Sequence, residues 1–284
     1  MSTDATTDGV DLHLHSRHSD GVLAPAEVVD LAAAGHVTLL ALTDHDTVAG
    51  LDETLRRGAE RGIRCITGVE LSASWRGQTI HVLGFDFDPG AQPLQERLSQ
   101  VQDLRRVRLR EIARRLERKR IAAAELVARI ESAYGVVTRT HLARELVACG
   151  AARSMAEVFK RLLGRGTPGH VPSNFPSLES AVQCLRAAKG LAVLAHPLRY
   201  TLSAGARRQM LQEFSAAGGT GMEVVCGNAR AHIEGLAQLA QRFGLAGSVG
   251  SDFHDPQLPW NPPGRLAKLP ASVHPVWRHF RLPT

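Results

Sequence analysis

Short β-branched or apolar runs recur along this chain with helical stretches between them, and that rhythm restricts the fold more than any other feature. The runs are Val10–Leu14, Thr38–Leu42, Arg64–Thr67, Thr79–Phe85, Leu191–Ala195, Gly221–Val225 and Leu245–Val249. Such alternation predicts an α/β fold of parallel strands joined by crossover helices, and seven runs suggest a barrel-like sheet. Pro25–Gly35 predicts the first crossover helix, with proline near its start and glycine as its stop, and Leu51–Gly62 predicts the second.

Between Pro93 and about Ala188 the rhythm breaks into long helical periods without strand candidates. This divides the chain into a first barrel part at 1–92, an inserted helical domain at 93–188 that would cap the substrate, and a second barrel part at 189–284. The first inserted helix, around Leu98–Arg120, places Val101, Leu104, Ile112 and Leu116 near helical spacing. Arg105, Arg106, Arg108, Arg110, Arg114 and Arg115 fill the other positions, as a solvated basic face or a nucleic-acid contact. After Asp255, the prolines Pro256, Pro259, Pro262, Pro263 and Pro270 predict an extended tail wrapping the surface.

Composition narrows the setting. With 44% hydrophobic and 22% charged residues the chain reads as globular, and no apolar run approaches the roughly 18 residues of a membrane span. Met1 to Gly9 is polar and lacks a secretory signal pattern, so a cytoplasmic location is expected. Cys65, Cys149, Cys184 and Cys226 are scattered and form no CxxC pair, which argues against a disulfide framework and a thiolate metal site. A net charge of +6 favours an anionic partner, and the histidine count of 13 is the louder signal.

Those histidines sit where strands end. In Asp11-Leu12-His13-Leu14-His15, positions i and i+2 of one strand project to the same side, a chelating arrangement. Asp20-Gly21 follows at a turn that would bring a carboxylate back toward the pair. Thr43-Asp44-His45-Asp46 closes the second run, Glu70 follows the third and His81 lies within the fourth. His196 closes the fifth, and Asp252 with His254 follows the last at i, i+2 spacing. So many polar groups at the ends of apolar runs are costly to bury unpaired, and convergence on divalent metal gives them one physical reason. Nitrogen and oxygen donors without thiolate suit Zn, Mn or Fe, in a number that calls for two or three adjacent ions, and such a cluster is suited to phosphate-ester hydrolysis.

Through DLHLHSRHSDG, ALTDHD, GVE, His81, LAHP and GSDFH, the sequence resembles the polymerase and histidinol phosphatase (PHP) family of phosphoesterases. The resemblance implies a distorted seven-stranded β/α barrel and a trinuclear site, with His13, His15, Asp20, His45, Glu70, His81, His196, Asp252 and His254 at the ligand positions. Glu70 would bridge ions. Asp252, His13 and His15 would hold one, Asp20, His45 and His254 another, and His81 and His196 the third. Manganese leads as the metal, with Fe²⁺ or Zn²⁺ as alternatives, and a metal-bound hydroxide is the implied nucleophile. The segment from Thr140 to Pro172 and AHPLRY look like the subgroup of the 3′,5′-nucleotide bisphosphate phosphatases and RNase AM, a 5′-3′ exoribonuclease. SDFHDPQLPW looks closer to the RNase AM branch. The implied substrates are small nucleotides, 5′-phosphorylated RNA, or both, with no membrane and no obligate protein partner.

For substrate phosphate, Arg199 leads, because a planar guanidinium bridges two phosphate oxygens. Arg17 and His18, between two ligand positions, and His141 and Arg144, with Lys160 and Arg161, on inserted helices, are further candidates. Phe159 and Phe175 read as core residues, and Asp44 as orienting a neighbouring ligand histidine. The alternatives are a phosphatase of another small monoester such as histidinol phosphate, a metal-stabilised RNA-binding protein without turnover, and metal-dependent C–N hydrolysis.

Overall fold

The computed structural model describes residues 8–227, 230–258 and 261–281. Their elements run β1 (Val10–Leu14), α1 (Pro25–Ala34), β2 (Leu39–Leu42), α2 (Leu51–Arg61), β3 (Arg64–Ile66), β4 (Gly68–Trp75) and β5 (Gln78–Phe85). Helices α3 (Gln92–Glu117), α4 (Ala123–Ala133), α5 (Arg139–Ala148), α6 (Met155–Val158) and α7 (Leu178–Ala187) follow. The chain then returns to β6 (Leu191–Leu194), α8 (Ala204–Ala216), β7 (Gly221–Cys226), α9 (Ile233–Arg242) and β8 (Ala246–Gly250). All seven anticipated strands are present with ends within one residue, and α3 starts and stops earlier than the arginine-rich pattern implied.

The strands form two sheets, β1-β2-β3 and β4-β5-β6-β7-β8. The first is parallel throughout, as expected, but β4-β5 and β5-β6 are antiparallel, so the larger sheet is mixed. The reason is an eighth strand, β4, which the apolar-run reading passed over. Its sequence alternates Val69, Leu71, Ala73 and Trp75 with Glu70, Ser72 and Ser74. It returns as β5 through a two-residue turn in which Arg76 (φ 48°) and Gly77 (φ 74°) are both left-handed, as a tight hairpin of this type requires.

The two sheets are stitched together at two seams. At one, β1 meets the segment after β8: His15 N–H donates to the Phe253 carbonyl (2.9 Å) and Asp252 N–H to the His13 carbonyl (2.7 Å). At the other, the chain beyond β2 runs beside β4: Glu70 N–H donates to the Asp44 carbonyl (3.2 Å) and Asp46 N–H to the Glu70 carbonyl (3.0 Å). Apolar packing explains why the sheets stay paired. Phe85, Phe214, Leu12, Leu71 and Ile80 are fully buried in one core that the strands share with α7, α8 and α9.

Helix α3 leaves that core. It is 26 residues long, about 39 Å at 1.5 Å per residue, with Leu94 and Leu98 in the main core and Leu109, Ile112 and Leu116 in a separate cluster with α4, α5 and α6. The arginine face of α3 is not uniformly solvated. Arg105 and Arg108 turn inward, while Arg110 and Arg114 pair with Glu131 and Glu111 outside. The tail also departs from expectation: Leu269, Val273, Val276, Trp277 and Phe280 are buried in the main core, and Val276–His279 forms a short 3₁₀ turn. Pro259 lies outside the described residues, as do Met1 to Thr7.

Helix α5 is fixed at its start by Thr138. The Thr138 hydroxyl accepts from His141 N–H (3.3 Å), and His141 Nδ1 accepts from Thr138 N–H (3.1 Å), a reciprocal cap with histidine in the usual acidic position. Thr138→Ala should therefore lower stability by about 1 kcal/mol in a urea titration. An unchanged midpoint would mean the cap contributes nothing.

Candidate metal centre

Strand pleating puts His13 and His15 on one face of β1, with their Nε2 atoms 3.1 Å apart. Both are fully buried, so the two imidazole nitrogens face each other inside the protein. Glu70 sits at the hub. Its Oε2 lies 3.3 Å from His13 Nε2, 3.2 Å from His15 Nε2 and 3.1 Å from His45 Nδ1, while Oε1 lies 2.9 Å from His81 Nδ1 and 3.0 Å from His196 Nε2. Asp252 Oδ1 approaches His13 and His15 Nε2 at 3.1 and 3.2 Å, and Asp20 Oδ1 lies 3.2 Å from His254 Nε2. All nine sequence-selected donors meet in one place, and both seams pass through it.

The donor chemistry fits divalent ions. Three groups bring one donor atom per residue within 4.8 Å of each other: His15, Asp20, His45 and His254; His13, His15, Glu70 and Asp252; His45, Glu70 and His81. The buried atoms Asp20 Oδ1, Glu70 Oε2, His45 Nδ1 and His196 Nδ1 have no hydrogen-bond partner, an expensive condition for lone pairs unless a cation takes them. His196 (φ 26°) and Asp252 (φ 54°) hold left-handed backbone conformations, which non-glycine residues keep only where surroundings enforce them.

A supporting layer sets tautomers. His13 Nδ1 donates to Glu223 Oε1 (2.9 Å) and His254 Nδ1 to the Asp252 carbonyl (2.9 Å), which turns each Nε2 toward the cluster as the position a metal would take. Glu223 Oε2 also accepts from His196 N–H (2.5 Å). Sequence reasoning missed Glu223, although a charged residue inside the buried apolar strand GMEVVC was a visible signal. Asp44 makes no direct side-chain hydrogen bond to a candidate ligand histidine, but Ser19 Oγ, which donates to it, lies 3.4 Å from His15 Nδ1. Asp44 accepts from Ser16 N–H and Oγ and from Ser19 Oγ (2.7, 2.6 and 2.7 Å), tying down the loop that delivers Asp20.

Charge is tightly coupled here. Burial opposes ionisation of Glu70, but His45, His81 and His13 outweigh it and hold the carboxyl well below its usual range. Burial likewise opposes a charge on His15, yet Asp252 and Glu70 raise it to about 10. His45, with burial dominant, falls to about 3.

Two cavities flank the cluster. One of about 160 Å³ is lined by Asp20, His45 and His81 together with Arg105, Arg108 and Arg139. The other, about 440 Å³, is lined by Asp252, His254, Arg144 and Arg199, and Thr140 borders both. Arg199 is half exposed with Nη1 on Asp252 Oδ2, and Arg144 donates from Nη2 to the Asp20 carbonyl (2.7 Å). Arg17 is exposed, His18 is half-buried, and neither lines these cavities. His141 is buried in the first turn of α5 with its ring stacked on Tyr134 at 3.9 Å, and burial lowers its pKa to about 4. Lys160 and Arg161 are exposed, the latter paired with Glu157. Phe159 and Phe175 line the smaller cavity, but Arg139 and Arg105 already cover their rings at 5.7 and 5.5 Å.

Known proteins resemble this chain over most of its length. The sequence pattern of the PHP domain matches residues 11–160. The chain is 43% identical to a 5′-3′ exoribonuclease of Haemophilus influenzae across 95% of this chain and 98% of that one. It is 41% identical to a 3′,5′-nucleoside bisphosphate phosphatase of Chromobacterium violaceum, across 95% and 96%. Among solved structures, one from Chromobacterium violaceum, described as an amidohydrolase with bound sulfate and no metal, superposes with a TM-score of 0.88 at 40% identity over 95% of both chains.

Proposed function

The chain belongs to the PHP domain family, and from that premise we propose that it is a metal-dependent hydrolase of phosphate esters at nucleotide 5′ ends. Its substrates on this reading are 3′,5′-bisphosphonucleotides, 5′-monophosphorylated RNA degraded from its 5′ end, or both. The observation that carries it is the convergence of five imidazoles on the single buried carboxylate of Glu70.

The candidate groups overlap, and each of His15 and His45 would serve one ion only: His15, Asp20, His45 and His254; His13, His15, Glu70 and Asp252; and His45, Glu70 and His81, with His196 against Glu70. Two or three ions fit these groups, and mixed imidazole and carboxylate donors favour Mn²⁺, with Fe²⁺ or Zn²⁺ as alternatives. When bound, such ions acidify water and neutralise charge on phosphate oxygens. The protein's own groups do the rest. Glu223 keeps the His13 proton on Nδ1, and the Asp252 carbonyl does the same for His254. Arg199 is placed at the cavity rim, where its guanidinium can turn from Asp252 to a phosphate oxygen. Arg144 braces the Asp20 loop from α5.

We read the two stitched sheets as a distorted barrel and residues 93–188 as the cap over its mouth; the separate apolar cluster of α3 to α6 supports that division. A cytoplasmic location and no obligate protein partner complete the proposal, consistent with nucleotide substrates. No helix among the described residues is long and apolar enough to cross a membrane.

The test is release of phosphate and mononucleotides from adenosine 3′,5′-bisphosphate and short 5′-phosphorylated RNA, with Mn²⁺ and with chelator. Metal-dependent turnover of either is expected. Silence on both with metal present, alongside turnover of histidinol phosphate or another monoester, would replace the nucleotide reading.

A further inference from the structure

His45 is held against β4 by a single parallel bridge to Glu70. Glu70 N–H donates to the Asp44 carbonyl (3.2 Å) and Asp46 N–H to the Glu70 carbonyl (3.0 Å). A strand that continued would next offer the Asp46 carbonyl to Ser72 N–H. Asp46 is left-handed instead (φ 50°), the chain turns away, and its carbonyl accepts from Gln102 Nε2 (2.8 Å). The Asp46 side chain takes the place left open: Oδ1 accepts from Ser72 N–H and Oδ2 from Ser72 Oγ, both at 2.7 Å. A carboxylate thus replaces a backbone carbonyl as the last rung of the ladder.

That rung is charged, and both Asp46 and Ser72 are fully buried, so the carboxylate needs a cation beside it. Arg105 of α3 supplies one, with Nε and Nη2 on Asp46 Oδ2 (2.7 Å each) and Nη2 also on Ser72 Oγ (2.8 Å). Arg97 of the same helix donates from Nη2 to the Ser72 carbonyl (3.0 Å). Gln102 and Arg105 lie between Leu98 in the main core and Leu109 in the second cluster, where α3 crosses from one to the other. The clamp therefore closes where the helix leaves the barrel strands.

Its position explains what it controls. His45 immediately precedes Asp46, and Glu70 lies two residues before Ser72. His45 Nδ1 and Glu70 Oε2 are 3.1 Å apart, both buried and both without a hydrogen-bond partner among the described residues. No bond of their own fixes that spacing before an ion arrives, so the backbone on either side must.

We infer that Asp46, gripped by Arg105 and Ser72, is a positioning residue that sets His45 against Glu70 for the ion His45 serves. Both Asp46 oxygens are engaged by Ser72 and Arg105, so it acts through its neighbours and not as a ligand. The inference rests on the metal centre of the phosphoesterase reading and on no step of its reaction.

Arg105 and Ser72 also border the smaller cavity, so the deciding measurement is made without substrate: calorimetric titration of chelator-stripped, full-length protein with Mn²⁺. Asp46→Asn keeps an acceptor for Ser72 N–H but removes the charge that Arg105 grips. It should weaken one ion by roughly 10- to 100-fold, the usual consequence of removing a group that orients a metal ligand. In His45→Ala protein, which lacks the positioned donor, the same change should cost little more; in Asp252→Ala protein, where a donor of another group is gone, it should cost the full factor. Arg105→Lys, which keeps the charge, should retain more affinity than Arg105→Met. With adenosine 3′,5′-bisphosphate as substrate, kcat of Asp46→Asn at limiting Mn²⁺ should fall in step and recover as Mn²⁺ is raised, with KM unchanged. Should Asp46→Asn melt early, Ser72→Ala, which takes one hydroxyl from the clamp, should show a smaller loss at the same ion. Folded variants with wild-type affinity for every ion, or with all ions weakened equally, overturn the clamp and leave the hydrolase intact. Selective loss of one ion in a protein that turns over no nucleotide upholds the clamp and removes the hydrolase.

Discussion

Glu70→Gln should reduce kcat/KM for the preferred nucleotide by about 10³-fold or more, an increase of roughly 4 kcal/mol in the barrier. The substitution keeps the shape of the side chain but removes the charge that five imidazoles approach within 3.3 Å. One amide oxygen replaces two carboxylate oxygens, and the amide NH₂ would point a donor where a cation should lie. Metal content should fall together with activity. Asp252→Ala, which removes a carboxylate within 3.2 Å of both His13 and His15, should behave similarly. The measurement is turnover against Mn²⁺ concentration with metal analysis of the purified variants. Near-wild-type turnover by Glu70→Gln at saturating Mn²⁺ would remove Glu70 from the centre of the mechanism.

Stripping metal should cost stability, by about 4 kcal/mol relative to protein held at a thousandfold excess over Kd, because bound ligand stabilises only the folded state. The pH dependence has a definite sign. In metal-free protein His15 is raised to about 10 and His13 well above its ordinary 6.5; burial opposes both, and the surrounding carboxylates prevail. Groups raised on folding stabilise fully below pH 6.5 and lose that contribution as pH climbs toward their folded values. Glu70, Asp20 and Asp252 are shifted down on folding, so their contribution is already complete above about pH 5. His45 and His196, also lowered, add nothing further above 6.5. Between pH 6.5 and 9 the chelated protein should therefore lose Tm. Metal must displace the His13 and His15 protons, so the loaded protein should lose less, and the gap should widen as pH rises. A gap that narrows over the same range would show that these histidines are not ligands.

Most of the site was readable because chelation needs donors at strand ends, and a strand's two-residue period shows in His13-Leu14-His15 as it does in Asp252-Phe253-His254. Seven strands were legible for a related reason, as each carries a short run rich in apolar or β-branched residues, unbroken in Leu39–Leu42 and Leu191–Leu194. Strand β4 escaped because it alternates: its Glu70, Ser72 and Ser74 dilute the hydrophobicity while Val69, Leu71 and Ala73 reach the core. That same strand makes the larger sheet mixed, so missing it also led to the expectation of parallel pairing throughout. The inward turn of Arg105 depends on Asp46 and Ser72, partners more than 30 residues away, and helical periodicity cannot foresee such a contact. The tail misled through its prolines, whose extended backbone still delivers Trp277 and Phe280 to the core.

The seam that places Asp252 against His13 has a consequence for the order in which the molecule is made. On a ribosome Asp252 and His254 emerge some 240 residues after His13 and His15, and β8 must pair beside β1 before the donors meet. Until then the emerging polypeptide lacks both carboxylate and imidazole from the distal end, however well its earlier helices have folded. If this protein degrades RNA, it therefore cannot begin on the message from which it is being translated while the chain is short. The centre comes into existence only once Asp252 and His254 have emerged and docked.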